Sequence, residues 1–351
     1  MSWPPACCQP FLRQSPDSHH ARERSPMNRR HALALLAAAP LARPWVARAQ
    51  ASEVNFLLPS IRFLTAFAPH NLAEARGYYA ANGVKPNFIT LRGGAAVATQ
   101  VGAGNAPMGG GIGDTPIIVR PNGVPVRAVM ALGGGALVTV VARKDRGINS
   151  LRDLQGKKIS VQSVQDTTYY SLIGAMGSVG LTPRSAEIQS LGPAGVWQAF
   201  VAGTVDAMAA VPDWIVDAEA EGVPVTRLSN RGNTPSMAQV VIASDNAIRA
   251  QKEPIAATCR ALLRALADLQ ADPEAASADL VAFLGRNGAP VQAPRVLATL
   301  KLYNEGVYTD MAVPGRVDEA RMDLVQRFYV DAGIIPRASP LADLYTHDLF
   351  G

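Results

Sequence analysis

The chain has 351 residues, of which 48% are hydrophobic and 17% are charged, and its 33 Lys and Arg against 28 Asp and Glu give a formal net charge of +5. This composition excludes a disordered chain, and the length is enough to bury one large core or two medium ones. A positive balance can indicate nucleic acid or a membrane surface as a partner. Here residues 1–51 carry the whole +5 and residues 52–351 are neutral, so we expect no nucleic-acid partner.

Residues 1–51 have the features of an export signal. Arg29 and Arg30 precede an apolar stretch, residues 32–41, that is too short to span a bilayer as a helix. Small residues then offer an A-x-A cleavage site after Ala49 or, preferably, after Ala51. We therefore predict an upstream extension plus an export signal peptide over residues 1–51, and a periplasmic mature protein.

The paired arginines resemble a twin-arginine export signal. Asn28 and His31 depart from the usual flanks of that signal, so general secretory export stays open as an alternative. Residues 1–26 are rich in Pro, Arg and Ser and have no periodicity, which favours Met27 over Met1 as the true start.

The sequence after residue 51 is poor in catalytic side chains. Cys259 is its only cysteine, which excludes an intramolecular disulfide, and His70 and His347 are its only histidines. No zinc-protease, C-x-x-C, G-x-S-x-G or P-loop motif is present. We expect no catalytic residue, no metal and no cofactor, although paired carboxylates could still perform acid–base chemistry. His70 is interpreted as a polar residue near the start of the first helix.

Short apolar strands alternate with amphipathic helices through most of the chain, and a helical section follows. This alternation predicts parallel sheets covered on both faces, an α/β fold. The predicted strands are 54–58, 88–91, 108–112, 126–132, 137–142, 158–161, 188–191, 207–211, 225–228 and 237–243. The predicted helices are 72–82, 95–101, one starting at Pro116, 167–179, 196–202, 212–221, 254–270, 273–284, 294–304 and 317–332.

The two α/β runs contain an internal repeat. Residues 93–126 align without gaps with residues 192–225, and ten of 34 positions are identical, including Asp114 with Asp213. Two copies are too few for a solenoid, so the repeat predicts two similar lobes. Ligands bind such sheets at the carboxyl ends of their strands, and two lobes face to face form a cleft there.

Three segments then resemble a known family: residues 71–84 (N-L-A-E-A-R-G-Y-Y-A-A-N-G-V), residues 102–116 (G-A-G-N-A-P-M-G-G-G-I-G-D-T-P) and residues 151–161 (L-R-D-L-Q-G-K-K-I-S-V). They are similar to the solute-binding proteins of ABC importers, in the nitrate/sulfonate/taurine and pyrimidine-precursor group. The resemblance covers nearly all of residues 53–335.

The resemblance implies a two-lobe periplasmic-binding-protein fold of type II, a Venus flytrap with a helical C-terminal section. It places lobe 1 at residues 52–136 and 238–351, lobe 2 at 137–237, and hinge crossings near 132–141 and 228–240. It also implies a monomer that closes around one small-molecule ligand and delivers it to an ABC permease in the inner membrane.

The strand-end loops and the resemblance together give the candidate ligand-binding residues. The loops of lobe 1 supply one group and the helix starts of lobe 2 the other. They are Ser60, Arg62, Phe63, Phe67, Gly93, Gly94, Asp114 and Thr115 in lobe 1, and Asp166, Thr167, Thr168, Tyr169, Gly192, Asp213 and Trp214 in lobe 2.

The candidate residues leave several roles open. Arg62 or Arg92 could clamp an anion or could be solvated loop charges. Asp114 and Asp213 could accept ligand N–H groups, but capping of the following helices is the more common role. Trp197 is left out because its helix face looks buried. Asp166 departs from the small residues usual in the family, which argues against a simple inorganic anion.

We expect a small organic anion or a heteroaromatic solute, such as a sulfonate, a carboxylate or a pyrimidine-like molecule. The alternative is an enzyme on the same fold, a lyase or a pyrimidine-precursor synthase. A sensor domain is a third interpretation, which no tethering helix or fused signalling segment supports.

Overall fold

A computed structural model describes residues 51–164, 166–229, 232, 234 and 236–349. The predicted extension and all but the last residue of the predicted signal peptide lie outside the described residues. Within the described part, no helix combines the length and the apolar character needed to cross a membrane.

Ten strands of the described chain form two five-stranded sheets. The first sheet has the order β2-β1-β3-β10-β4 and the second has the order β7-β6-β8-β5-β9. The strands are β1 (Ser52–Leu58), β2 (Val84–Thr90), β3 (Met108–Ile112), β4 (Val126–Ala131), β5 (Thr139–Arg143), β6 (Lys158–Val161), β7 (Glu187–Ser190), β8 (Ala207–Ala210), β9 (Val225–Arg227) and β10 (Gln239–Ser244). We call the part built on the first sheet lobe 1 and the part built on the second sheet lobe 2.

Each sheet is mixed, which corrects the expectation of parallel sheets. In the first sheet β10 runs antiparallel to β3 and β4, and in the second β5 runs antiparallel to β8 and β9. Both antiparallel strands come directly after the chain has passed from one sheet to the other. Two neighbouring strands of one sheet run parallel when a helical crossover connects them. A strand that arrives from the other sheet is not connected in this way, so it can pair in the antiparallel direction.

The chain passes between the sheets at residues 132–138 and again at residues 228–238, the regions where the resemblance puts the hinge crossings. The first passage contains three consecutive glycines, Gly133–Gly135, that lie directly against the backbone of residues 306–310. The Gly134 N–H donates to the Thr309 carbonyl at 2.7 Å. A Cβ on Gly133 would stand 1.8 Å from the Val307 carbonyl oxygen, so this approach requires glycine.

Helices cover both faces of both sheets. Alternate residues of the first sheet's β1 point to opposite faces, so Phe56 and Leu58 enter one core cluster and Leu57 enters another. The second sheet repeats this pattern at Val140 and Val141. The helices are α1 (Ala68–Ala75), α2 (Tyr78–Ala81), α3 (Gly94–Gly102), α4 (Thr115–Val119), α5 (Thr167–Gly177), α6 (Gly192–Val201), α7 (Pro212–Ala220), α8 (Asp245–Ala250), α9 (Lys252–Ala271), α10 (Pro273–Arg286), α11 (Ala293–Gly306), α12 (Glu319–Asp331) and α13 (Leu341–Leu344).

Two elements differ from the sequence prediction for local reasons. The single helix expected over residues 72–82 is interrupted, because Gly77 adopts a left-handed conformation (φ 70°) between α1 and α2. Strand β2 begins four residues earlier than expected and includes Pro86. Proline is tolerated there because β2 is an edge strand that pairs only with β1.

The internal repeat corresponds to equivalent elements: α3 with α6, β3 with β8, α4 with α7, and β4 with β9. The structure explains why three of the identical positions are glycine. Gly93 and Gly192, Gly104 and Gly203, and Gly123 and Gly222 all have φ between 72° and 88°. Side chains rarely adopt this conformation, so each lobe needs glycine at the same turns.

Candidate ligand-binding cleft

A cleft of about 550 Å³ lies between the two lobes. In lobe 1 its walls come from the loops after β1 and β2 and from the end of β3. In lobe 2 they come from the segments that follow β6, β7 and β8. These are the carboxyl ends of the strands, where open α/β sheets bind their ligands. The start of α11 forms a further wall. A volume of this size suits a small molecule.

Ten of the fifteen candidate residues line this cleft. They lie in loops that follow strands or near the starts of the helices after those loops. They are Ser60, Phe63, Phe67, Gly93, Gly94, Asp166, Thr167, Thr168, Asp213 and Trp214. That they contact a ligand stays a prediction.

Arg62 is turned away from the cleft. One of its Nη atoms pairs with the Glu74 carboxylate, and its guanidinium lies over the rings of Phe63 and Phe88 at 4.9 and 4.4 Å. Arg92 is exposed and is also absent from the lining. Neither arginine is in position to clamp an anion in the cleft.

Four other candidate residues also lie outside the lining. Asp114 is completely buried inside lobe 1, and Thr115 accepts a hydrogen bond from the Ile112 N–H at 3.0 Å. Tyr169 packs against the core of lobe 2. Gly192 has a left-handed backbone and donates to the Gln162 carbonyl at 3.0 Å, which is a structural role.

The expectation that Asp114 and Asp213 cap their helices is wrong. Neither carboxylate makes a capping hydrogen bond; each accepts instead from a buried tyrosine hydroxyl. Tyr329 donates to Asp114 Oδ2 at 2.6 Å, and Tyr303 donates to Asp213 Oδ2 at 3.0 Å. Burial raises the pKa of Asp114 to about 7 and that of Asp213 to about 6.

Asp213 joins the two lobes at one edge of the cleft. It stands in the first turn of α7 in lobe 2, whereas Tyr303 belongs to α11, whose residues pack in the core of lobe 1. Its second oxygen accepts from the Ala66 N–H of lobe 1 at 3.1 Å. The next two turns of α7 continue the contact, since Arg295 of α11 donates to Asp217 at 3.4 Å and to Glu221 at 2.8 Å.

Asp166 caps α5 and lines the cleft. Its Oδ1 accepts from the Thr168 N–H at 2.9 Å, and its Oδ2 accepts from the Gln162 side chain at 3.3 Å. A Cβ placed on Gly93 of lobe 1 would be 3.9 Å from that Oδ2, so the carboxylate faces the start of α3. Burial raises the pKa of Asp166 above its usual value.

His70, interpreted from the sequence as a polar residue early in the first helix, is in α1 and also lines the cleft. It is 4% exposed and makes edge contacts with the rings of Phe56 and Phe88. Burial, with a smaller effect from the positive charge of Arg62, lowers the pKa of His70 to about 3. The imidazole is therefore neutral at physiological pH.

Sequence reasoning missed several lining residues. Trp197, left out as buried, is half-exposed and lines the cleft. Gln239 stands at the start of a buried strand whose next four residues are apolar, and this isolated polar residue could have indicated a contact with the cleft. Arg295 and Tyr303 come from a helix about 80 residues further along the chain than α7, and no local pattern indicates that contact.

The sequence of residues 64–276, more than half of the chain, matches the NMT1/THI5-like family. The chain belongs to the NMT1/THI5-like family. The relationship predicted from the three sequence segments is confirmed.

Relatives in this family include solute-binding proteins. The chain is 27% identical over 250 residues to the riboflavin-binding protein RibY of Chloroflexus aurantiacus, covering 68% of this chain and 67% of that protein. It is 28% identical over 160 residues to the taurine-binding periplasmic protein of Escherichia coli, covering 45% of this chain and 48% of that protein.

Solved structures confirm the fold. The alkanesulfonate-binding protein SsuA from Xanthomonas axonopodis superposes with a TM-score of 0.64 at 18% identity, covering 84% of this chain and 98% of that one. The chain therefore has the two-lobe α/β fold of periplasmic binding proteins, as predicted.

Enzymes also occur among the relatives of this NMT1/THI5-like chain. The 4-amino-5-hydroxymethyl-2-methylpyrimidine phosphate synthase of Schizosaccharomyces pombe is 24% identical over 218 residues, which is 58% of this chain and 62% of that protein.

Proposed function

We propose that this chain is the solute-binding subunit of an ABC importer. It captures a small organic anion or a heteroaromatic solute in the cleft, in the periplasm, and delivers it to a permease in the inner membrane. The observation that carries the proposal is the cleft itself, which both lobes line with the carboxyl ends of their strands. The solute-binding relatives support the same conclusion.

The described cysteine and histidine side chains favour binding over nucleophilic catalysis. The lining contains no cysteine, and its histidine is a buried neutral group whose pKa is near 3. Cys259 is buried in lobe 1, and burial raises the pKa of its thiol, which makes it a poor nucleophile. No group of three or more metal-ligating side chains occurs among the described residues.

Ligand capture can be measured directly on the full chain. Native mass spectrometry of protein purified without denaturation detects a retained ligand as an added mass. A ligand that binds only the folded state also raises the melting temperature with concentration. A panel of sulfonates, carboxylates, pyrimidines and nitrate that produces neither signal would contradict the proposal.

Tryptophan fluorescence assigns the binding to the cleft. Trp197 and Trp214, two of the chain's four tryptophans, line it. Ligand should change the emission of the wild-type chain, and the Trp197→Phe and Trp214→Phe variants should each lose part of that change. A ligand that is consumed and yields a product would instead favour the enzyme alternative.

A further inference from the structure

The charged side chains of the cleft indicate which ligands it can accept. Asp166, Asp213 and Asp217 line it, and Arg295 is the single basic side chain among its described lining residues apart from the neutral His70. The Arg295 guanidinium already bridges two carboxylates, those of Asp217 and Glu221. The positive charge of Arg295 is therefore already paired with carboxylates, although its buried Nε has no hydrogen-bond partner among the described residues.

One helix N-terminus at the cleft, a place where anions ordinarily bind, is already occupied by a carboxylate. At the start of α5 the Asp166 carboxylate takes the anion's place by accepting from the Thr168 N–H, and it also faces the start of α3. Helices α6 and α7 have Pro193 and Pro212 in their first turns, and each proline removes one N–H donor from its helix start. A ligand anion at α3 or α5 would have to lie beside Asp166, and like charges repel.

A second, independent observation concerns Gln239. Its side chain is 8% exposed, and its Nε2 donates to the Ala66 carbonyl at 2.8 Å, which fixes the orientation of the amide. Its Oε1 is buried and has no hydrogen-bond partner in the described part of the chain. A buried acceptor without a partner is unfavourable until a donor reaches it.

Aromatic side chains line the cleft, together with aliphatic ones such as Leu132, Leu137 and Val291. Phe63 and Phe67 come from lobe 1, and Trp197 and Trp214 come from lobe 2. Such side chains pack well against a flat ring. Among the polar groups of the lining, the Asp166 carboxylate is a hydrogen-bond acceptor, and Gln239 Oε1 is a buried acceptor without a partner in the described chain.

We infer that the cleft selects a planar, neutral or positively charged molecule that carries N–H or amino groups, and that it rejects carboxylates and sulfonates. The N–H groups of the ligand would donate to Asp166 Oδ2 and Gln239 Oε1, and its ring would pack between the aromatic side chains. This inference rests on the proposed function and narrows its ligand class.

Matched pairs of small aromatic probes test this selectivity. Nicotinamide against nicotinate, and benzamidine against benzenesulfonate, keep the ring and exchange the donor group for an anion. We expect the donor-bearing member to bind at least roughly 10-fold more tightly, by calorimetry at pH 8, because only it supplies hydrogen bonds to the acceptors.

A charge variant locates the source of the selectivity. Asp166→Asn removes one negative charge at nearly constant size. The ratio of the dissociation constants of the two probes in each pair should therefore fall roughly 10-fold. The matched control is Glu187→Gln, which removes the same charge at the start of β7, the end of lobe 2 away from the cleft. That control should leave the ratio of dissociation constants unchanged.

Gln239→Leu should weaken the binding of the donor-bearing probes. The melting temperature of the free protein reports whether this variant folds.

The outcomes separate the inference from the proposed function. Tighter binding of nicotinate or benzenesulfonate would overturn the ligand class and leave the binding function standing. Equal ratios in the wild type and in Asp166→Asn would overturn the role of Asp166. Failure of every probe to bind, together with failure of the wider panel, would overturn both the inference and the function.

Discussion

Asp114 and Asp213 occupy the same position in the two copies of the repeat, yet their hydrogen-bond partners lie in different parts of the molecule. Each follows a buried strand, and each accepts a hydrogen bond from a tyrosine of the C-terminal helices. Asp114 and its partner Tyr329 both lie within lobe 1, and its Oδ1 has no partner among the described residues. Asp213 lies in lobe 2 and receives both of its hydrogen bonds from lobe 1.

The difference arises because the helical section after β10 packs mainly on lobe 1. Tyr329 from that section contacts Asp114 inside the core of lobe 1. Tyr303 from the same section contacts Asp213 across the boundary between the lobes. The same repeat position therefore stabilises the fold in one copy and joins the lobes in the other. Substitutions at the two sites should separate these roles.

The pH dependence of stability should give the largest effect. The pKa of Asp114 is about 7 in the folded chain, whereas its ordinary value, which applies to the unfolded chain, is 3.8. Between these two values the folded state therefore binds more protons than the unfolded state. The free energy of unfolding should fall as pH rises from 4 to 7, and Asp114 alone should contribute up to about 4 kcal/mol of that fall at ~1.4 kcal/mol per pKa unit.

The asparagine variants test the source of this dependence. Asp114→Asn should reduce the fall over the whole range from pH 4 to 7, whereas Asp213→Asn should reduce it only up to pH 6, because the pKa of Asp213 is about 6. Urea denaturation at several pH values measures both. A wild-type chain that becomes more stable as pH rises from 4 to 7 would contradict the assignment.

The two tyrosines should contribute unequally to stability. At pH 8, Tyr329→Phe leaves a buried ionised carboxylate without its tyrosine donor, which should lower the free energy of unfolding by about 2–3 kcal/mol. Tyr303→Phe should cost only about 1 kcal/mol, because Asp213 keeps the Ala66 N–H. Urea denaturation measures both losses of unfolding free energy. Equal losses in the two variants would contradict the expectation that the pair within lobe 1 contributes more than the pair between the lobes.

The cross-lobe ion pair should give the smallest effect. The side chains of Arg295 and Asp217 are 32% and 30% exposed, so a double-mutant cycle with Arg295→Gln and Asp217→Asn should give a coupling below about 1 kcal/mol that weakens in salt. The matched pair within lobe 1, Arg120 with Asp245, is 15% and 18% exposed and should couple more strongly. A stronger coupling across the lobes would contradict this order.

Local patterns predicted much of the fold and part of the site. The alternation of strands and helices, the repeat and the loops at strand ends led to Ser60, Gly93 and Asp166 as lining residues. The antiparallel direction of β5 and β10 was not predictable, because it depends on how the chain passes between sheets.

The roles of the repeated aspartates depended on long-range contacts. Helix capping is a local preference, and at Asp114 and Asp213 it was overridden by tyrosines located 215 and 90 residues further along the chain. Arg62 was predicted near the cleft because it follows β1, but its pairing with Glu74 and its packing on two phenylalanines draw it away.

The position of β10 also determines the order in which the lobes can form during synthesis. All five strands of the second sheet lie between residues 139 and 227, so this sheet can assemble as soon as that stretch has emerged from the ribosome. In the first sheet β3 and β4 are not neighbours, since β10 fills the place between them. Although lobe 1 begins the described chain, it cannot complete its sheet until residue 244 has been made, and we expect lobe 2 to fold first.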